Sequence, residues 1–408
     1  MEQLIGNNFA WCVGIEDTFI PQTRADMRAL DEYQLMDHYR QWKQDFDLAS
    51  ELGVSHIRWG VPWYKVNPAP GVFEWAWVDE VLDYLVNKKN IQPIIDLMHY
   101  GTPLWLENSF LNACYPQRVA DYAYAFASRY KDLIRFYTPL NEPTVNAEFC
   151  GMRGEWPPYM KGNDGYVKLL IPIARGTVLT AKAIREADAN ATLIQVEAFG
   201  KAWTKDERLH SVVKDWCEDR YLGFDLITGG FSERNHLYGF LLKHGVSEQD
   251  INWFREHGSK PDVLGVNYYP ISGGELIMGA NDTPELKIGL EATDLLEVFK
   301  NAWDRYQLPM MLTETGCTVT QIEKRKQWMD ETIAVVRQTQ AAGIPIIGYT
   351  WWPLFDMVDW AYRLGKKPLS HYIFPGGLWS CKASQSGEVT RKRNSLAQRY
   401  KEYIQEKR

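Results

Sequence analysis

Short apolar runs and longer amphipathic stretches alternate along this chain. FAWCVGI (9–15), VSHIRWGV (54–61), IQPIIDLMH (91–99), RFYTPLNE (135–142), TLIQVEAF (192–199), DVLGVNYY (262–269), PMMLTET (309–315) and IPIIGYTWW (344–352) are short, apolar and rich in β-branched or aromatic residues. They are predicted to be strands. Between them the period changes. In DHYRQWKQDFDLASELG (37–53) the apolar residues Tyr39, Trp42, Phe46, Ala49 and Leu52 fall close to a 3.6-residue repeat that ends on Gly53, as a capped helix should. WVDEVLDYLVNKKN, RVADYAYAFASRYKDL, YVKLLIPIARGTVLTAKAIREA and EKRKQWMDETIAVVRQTQAAG read as helices after the second, third, fourth and seventh strands. Pro172 is expected to kink the one that contains it.

Eight strand-then-helix units in 408 residues fit one α/β fold, a closed (β/α)8 TIM barrel spanning residues 1–408. Residues 200–261 exceed what a single helix needs and are expected to carry an insertion. A doubly wound open sheet would want a GxGxxG turn after an early strand, and none is present. No low-complexity linker divides the chain.

Composition narrows the class of function. Hydrophobic residues at 45% and charged residues at 24% are the balance of a folded globular protein. A net charge of −7 with interspersed signs argues against nucleic acid as a partner. The basic run Arg391, Lys392, Arg393 is expected to open the last helix as a solvated feature. No window approaches ~18 consecutive apolar residues, so no membrane span is expected, and the first residues lack a signal-peptide pattern. The six cysteines stand singly, without metal-ligand spacing. Free thiols in the cytoplasm are the expectation.

In a (β/α)8 barrel the active site lies at the C-terminal ends of the strands. There the sequence places Arg58, His99, Asn141-Glu142, Glu197, Asn267-Tyr268-Tyr269, Glu314 and Trp351-Trp352. Side chains alternate along a strand, so only one of Tyr268 and Tyr269 can face the site. Two apolar runs, ending on Glu142 and Glu314, belong to strands four and seven, which lie across the ring from each other. Facing carboxylates are the equipment of glycosidic bond hydrolysis, one acting as acid and base and one as nucleophile. Each residue also has a plain alternative: a strand-to-loop carboxylate, a core ion pair, a satisfied histidine, a packed tryptophan. Glu197 has no motif around it.

The chain resembles family 1 of the glycoside hydrolases, the retaining β-glycosidases. RWGVPWYKVNP (58–68), PIIDLMHYGTPLWL (93–106), NEP (141–143), GVNYY (265–269), LTETG (312–316) and GYTWWPLFDMVDWA (348–361) stand in the family's order, each at a strand end. The resemblance implies Glu142 as acid/base and Glu314 as nucleophile, with neither metal nor organic cofactor. It implies Asn141 on the sugar 2-hydroxyl, with Arg58 and Tyr269 holding Glu314 ionised. His99 and Asn267 would belong to the sugar site, Trp352 would form its floor, and Asp359 with Trp360 would meet the far hydroxyls. The partner would be a small glycoside or oligosaccharide.

The chain departs from the family pattern in three places, one of them two residues long. Tyr100 and Gly101 replace a tryptophan and an aspartate after His99, Asp359 replaces a glutamate before Trp360, and Glu16 stands near where a glutamine is usual. All three touch sugar recognition, so an atypical glycone is expected. The chain is also short for the family, which implies trimmed loops on the leaving-group side. Alternatives remain open. One is a transglycosylase, and another is a 6-phospho-β-glycosidase using Arg363, Lys366 or Lys367. A third is a non-catalytic sugar-binding barrel, and a fourth is a hydrolase of a sister family, against which GYTWW…DW argues.

Overall fold

The computed structural model describes residues 9–384 and 387–406. Eight parallel strands close a barrel: β1 (Ala10–Gly14), β2 (His56–Gly60), β3 (Gln92–Asp96), β4 (Phe136–Thr138), β5 (Thr192–Ala198), β6 (Val263–Tyr268), β7 (Met310–Thr315) and β8 (Ile346–Trp351). Neighbours in sequence are neighbours in the ring, and β1 pairs with both β2 and β8. All eight predicted strands are present, trimmed at their ends where the apolar run continues into a loop.

A helix follows each strand: α1 (His38–Leu52), α2 (Ala76–Asp83), α3 (Tyr115–Tyr130), α4 (Gly162–Ala187), α5 (His210–Thr228), α6 (Leu295–Tyr306), α7 (Ile322–Ala341) and α8 (Ser395–Gln405). The α1 helix ends on Gly53 in the left-handed region at φ 82°, as the sequence pattern requires. The α4 helix continues through Pro172. The carbonyl that proline leaves without an amide partner belongs to Lys168, an exposed residue that water can reach.

Alternation sorts the core into two layers. Ala10, Cys12, Ile94, Phe136, Ile194, Val196, Val263 and Met311 fill the barrel interior. The opposite parity, including Val13, Ile57, Trp59, Ile95, Tyr137, Leu193, Leu264, Leu312 and Tyr349, packs outward under the helices. Arg58 and Asp96 share the inward parity of their strands (β2 pairs Arg58 with Ile94, and Gly60 with Asp96). They therefore face the mouth.

Residues 202–257 carry a two-residue strand, α5 and two further helices, Tyr238–Lys243 and Glu248–His257. The strand Ala202–Trp203 pairs with a hairpin, Gly274–Met278 and Pro284–Ile288, that follows β6. This small outer sheet was not expected from the sequence.

One expectation is corrected. Arg391–Arg393 lie in a strand, Val389–Arg393, paired with Trp379–Ala383, and α8 begins only after Asn394 caps it. Nor is Arg391 solvated. Its guanidinium is fully buried against Asp45 on α1 and donates to Met36 O at 2.8 Å. Asp45 also accepts from His38 at 2.8 Å, and a buried carboxylate of this kind needs a cation. The tertiary partner decides where the arginine goes.

Candidate active site

Arg58, buried at the end of β2, organises the barrel mouth. One nitrogen donates to Glu314 Oε1. Another donates to Asp96 Oδ2 at 2.5 Å and to Asn141 Oδ1 at 2.6 Å. Burial alone would favour loss of its proton, but the charges of Asp96 and Glu314 outweigh that and hold it protonated.

Glu314 would face outward by strict alternation, since Thr313 donates inward to Asn267 Oδ1 at 2.8 Å. The register between β7 and β6 slips between Leu312 and Glu314, which turns the carboxylate into the mouth. There Tyr269 donates to its Oε2 at 2.7 Å. Tyr268, of the other parity, stacks on Trp328 of α7 at 5.8 Å and donates to Glu291 O. Burial pushes the Glu314 carboxyl up to about 7, Arg58 opposes this, and the neighbouring Glu142 adds to it.

Glu142 sits just beyond β4 in the left-handed region at φ 44°, with Pro143 opening the next helical turn. A non-glycine residue there is strained and must be held by its surroundings. Its amide donates to Val196 O at 3.3 Å. Its Oε1 accepts from Asn267 Nδ2 at 2.8 Å, and its Oε2 accepts from the Tyr100 hydroxyl. Both glutamates are buried, and the chain Arg58–Asn141–Asn267 links them.

His99, also buried, lies among carboxylates: Nδ1 is 3.0 Å from Asp17 and 3.1 Å from Asp96, and Nε2 is 3.5 Å from Glu16. Burial works against its charge, but Asp17 and Glu16 outweigh burial and raise its pKa well above the usual value. Asn141 Nδ2, a donor, stands 3.1 Å from Nε2. That contact is a hydrogen bond only when Nε2 carries no proton; the imidazolium instead has the Glu16 carboxylate 3.5 Å from Nε2 as its ion-pair partner. The ring of Trp352 stacks on His99 at 5.9 Å, and its indole N–H donates to Glu16 Oε2 at 2.9 Å. Asp17, Asp96 and His99 are near enough to share an ion, but Arg58 and a charged His99 already neutralise this group.

Two predicted residues stand apart. Asp359 is exposed, and its carboxylate caps a short helical turn by accepting from Ala361 N at 2.8 Å. Trp360 packs against Trp156 at 5.1 Å, Phe149 at 5.3 Å and Tyr100 at 5.6 Å. Its indole N–H is buried and has no partner among the described residues. The structure thus joins Arg58, His99, Asn141, Glu142, Asn267, Tyr269, Glu314 and Trp352 in one contact group, with Trp360 on its wall and Asp359 at its rim.

Sequence reasoning missed Asp17, Asp96 and the Tyr100 hydroxyl. Asp96 was within reach, because it shares the inward parity of Ile94 beside Arg58. Glu197 faces outward behind Glu142, accepting from Thr144 Oγ1 at 2.8 Å and Ala198 N at 3.0 Å. Burial raises its carboxyl to about 8.

Comparison with known proteins finds similarity in sequence and in fold. The model for glycosyl hydrolase family 1 matches residues 12–198. Over that part of its length the chain is similar to that family. Its relatives are distant. Beta-glucosidase A of Thermotoga maritima is 23% identical over 364 residues, covering 81% of this chain and 80% of that protein. Aryl-phospho-beta-D-glucosidase BglC of Bacillus subtilis is 22% identical over 387 residues, covering 80% and 79%. The solved beta-glucosidase of T. maritima in complex with castanospermine superposes with a TM-score of 0.83 at 18% identity, covering 98% of this chain and 97% of that one.

Proposed function

We propose that this chain is a family 1 enzyme that hydrolyses a β-linked glycoside with retention, by double displacement on Glu314 and Glu142. The observation that carries the reading is the pair's environment. Glu314 receives a guanidinium and a phenol, which suits an ionised nucleophile, while Glu142 receives only neutral donors.

In the first step a Glu314 oxygen bonds to the anomeric carbon as the bond to the leaving oxygen breaks and Glu142 gives that oxygen its proton. In the second step water attacks the anomeric carbon, Glu142 takes the water's proton, and the ester to Glu314 breaks. Asn141 holds the 2-hydroxyl, a contact that strengthens in the transition state. Asn267 keeps Glu142 in place. Trp352 supports the apolar face of the ring, and His99 and Trp360 meet its other hydroxyls. Trp360 brings a buried indole N–H that is free to donate.

The glycone is uncharged and atypical. Glu16 and Glu314 leave the carboxylates here in excess over the cations Arg58 and His99, which would repel a phosphate. The expected phosphate-binding arginine is committed elsewhere: Arg363 donates to Pro21 O and Arg28 O at 2.9 Å and to Tyr159 at 2.7 Å. That counts against the 6-phosphoglycosidase reading, although such enzymes are among the relatives. The chain acts as a single catalytic unit. Among the described residues no helix is long and apolar enough to cross a membrane. All six cysteines are free thiols, which supports a reducing, cytoplasmic setting.

The test is turnover of activated aryl β-glycosides of glucose, galactose, mannose, fucose, xylose, glucuronic acid and 6-phosphoglucose, with Glu314→Ala alongside. Release from one or a few uncharged sugars is expected. It should be lost in the variant and partly restored by azide with inverted configuration. Silence on every sugar refutes the reading, and release confined to 6-phosphoglucose refutes the uncharged glycone.

A further inference from the structure

Tyr100 holds an unusual backbone for an aromatic residue, at φ 80° in the left-handed region. Such strain persists only where neighbours fix it. Here Phe19 bridges to Tyr100, and the Phe19 amide donates to His99 O at 3.4 Å. Gly101 permits the approach, since a Cβ there would lie 1.8 Å from Phe19 O. The departures at positions 100 and 101 are therefore one device: the glycine lets the chain turn, and the turn points the tyrosine ring inward. The ring is buried between His99 at 4.7 Å and Trp156 at 5.0 Å. Its hydroxyl donates to Glu142 Oε2 and accepts from Asn141 Nδ2 at 3.0 Å.

We infer that Tyr100 is a positioning residue for Glu142, its phenol holding one carboxylate oxygen by a bond that strengthens as that group gives up its proton. The inference rests on the acid/base role proposed for Glu142. A hydroxyl that already accepts from Asn141 has its proton directed at Oε2, so it serves a carboxylate better than a carboxylic acid. As Glu142 gives up its proton to the leaving oxygen, the bond becomes charge-assisted and strengthens. The phenol stays a donor throughout: burial, then the charge of Glu142, hold its pKa well above the usual value. The other ionisable groups facing this pair are Glu314 on β7, Glu197 on β5, Tyr269 after β6, His99 after β3, Glu16 after β1 and Arg58 on β2. Substitution at Tyr100 leaves all of them in place.

The test is the pH profile of kcat/KM for a glycoside with a poor leaving group. It compares wild type, Tyr100→Phe, and enzyme carrying 3-fluorotyrosine at position 100. Losing the donor should move the alkaline limb up by about one pH unit, and the more acidic fluorophenol should move it down. At the optimum, Tyr100→Phe should lose about tenfold more rate on the poor leaving group than on a dinitrophenyl glycoside, which needs no proton. A tyrosine that only packs the wall would not move the limb in opposite directions. An active wild type whose limb stays put in both variants overturns the role of Tyr100. A wild type inactive on every glycoside overturns instead the reading on which it rests.

Discussion

Replacing Arg58 by Met removes the cation from the centre of the site while keeping much of its volume. In the native protein this guanidinium bonds Glu314, Asp96 and Asn141 and is fully buried. Burial already raises Glu314 to about 7, and Arg58 is the largest influence opposing that rise. An adjacent opposite charge typically shifts a carboxyl by about 1–3 pH units. Taking two units as the middle of that range, the ionised fraction of Glu314 at neutral pH falls about fifty-fold. The pH dependence of kcat/KM therefore carries the signature. Wild type should lose activity as pH falls below about 7, where Glu314 takes up its proton. In Arg58→Met the acid limb should move up by about two units, with a large loss at neutral pH that narrows markedly toward pH 9 or so. Stability should also drop by about 3–5 kcal/mol near neutral pH, because Asp96 and Glu314 lose a buried partner. A loss of equal size at every pH would refute the reasoning, since Arg58 would then act by geometry and not by holding Glu314 ionised.

Other consequences are more local. Glu197 is raised to about 8 from an ordinary value of 4.5, so the stability it contributes is complete below about 4.5 and is lost as pH rises through about 8. Glu197→Gln should flatten the fall in Tm between about pH 4.5 and pH 8, an effect of at most about 5 kcal/mol over that whole span. Identical Tm profiles for the two proteins would mean that Glu197 is ionised in the fold. A Cβ on Gly14 would lie 2.0 Å from the Trp352 ring, so Gly14→Ala should displace that ring, the proposed sugar floor, and raise KM more than about tenfold. An unchanged KM would remove Trp352 from the site. Asp359→Ala should cost about 1 kcal/mol through the lost helix cap and leave KM within about twofold. A large rise in KM would show that the carboxylate swings in to bind the glycone.

The linear sequence determined the order and number of the barrel strands, because apolar runs and amphipathic stretches alternate with unmixed periods. It also named most of the residues that the fold gathers into the candidate site. In this fold function collects at strand ends, and Arg58, His99, Asn141, Glu142, Asn267, Tyr269, Glu314 and Trp352 each follow an apolar run. Positions that depend on a partner distant in sequence were not legible. Arg391 looks like one of three surface cations until α1 brings Asp45 to it. Asp96 and Asp17 look like ordinary loop and strand carboxylates until the ring closes and sets them beside Arg58 and His99. Glu314 would point outward by simple alternation, and the register slip against β6 reverses it. Asp359 stands where the resemblance implies a sugar contact, yet a short helical turn captures its carboxylate at the rim. Local periodicity encodes which segments become strands and helices, since that choice is made within a few residues. Closure of the barrel decides which charges meet, because burial and pairing arise only when segments far apart in the chain share the same space.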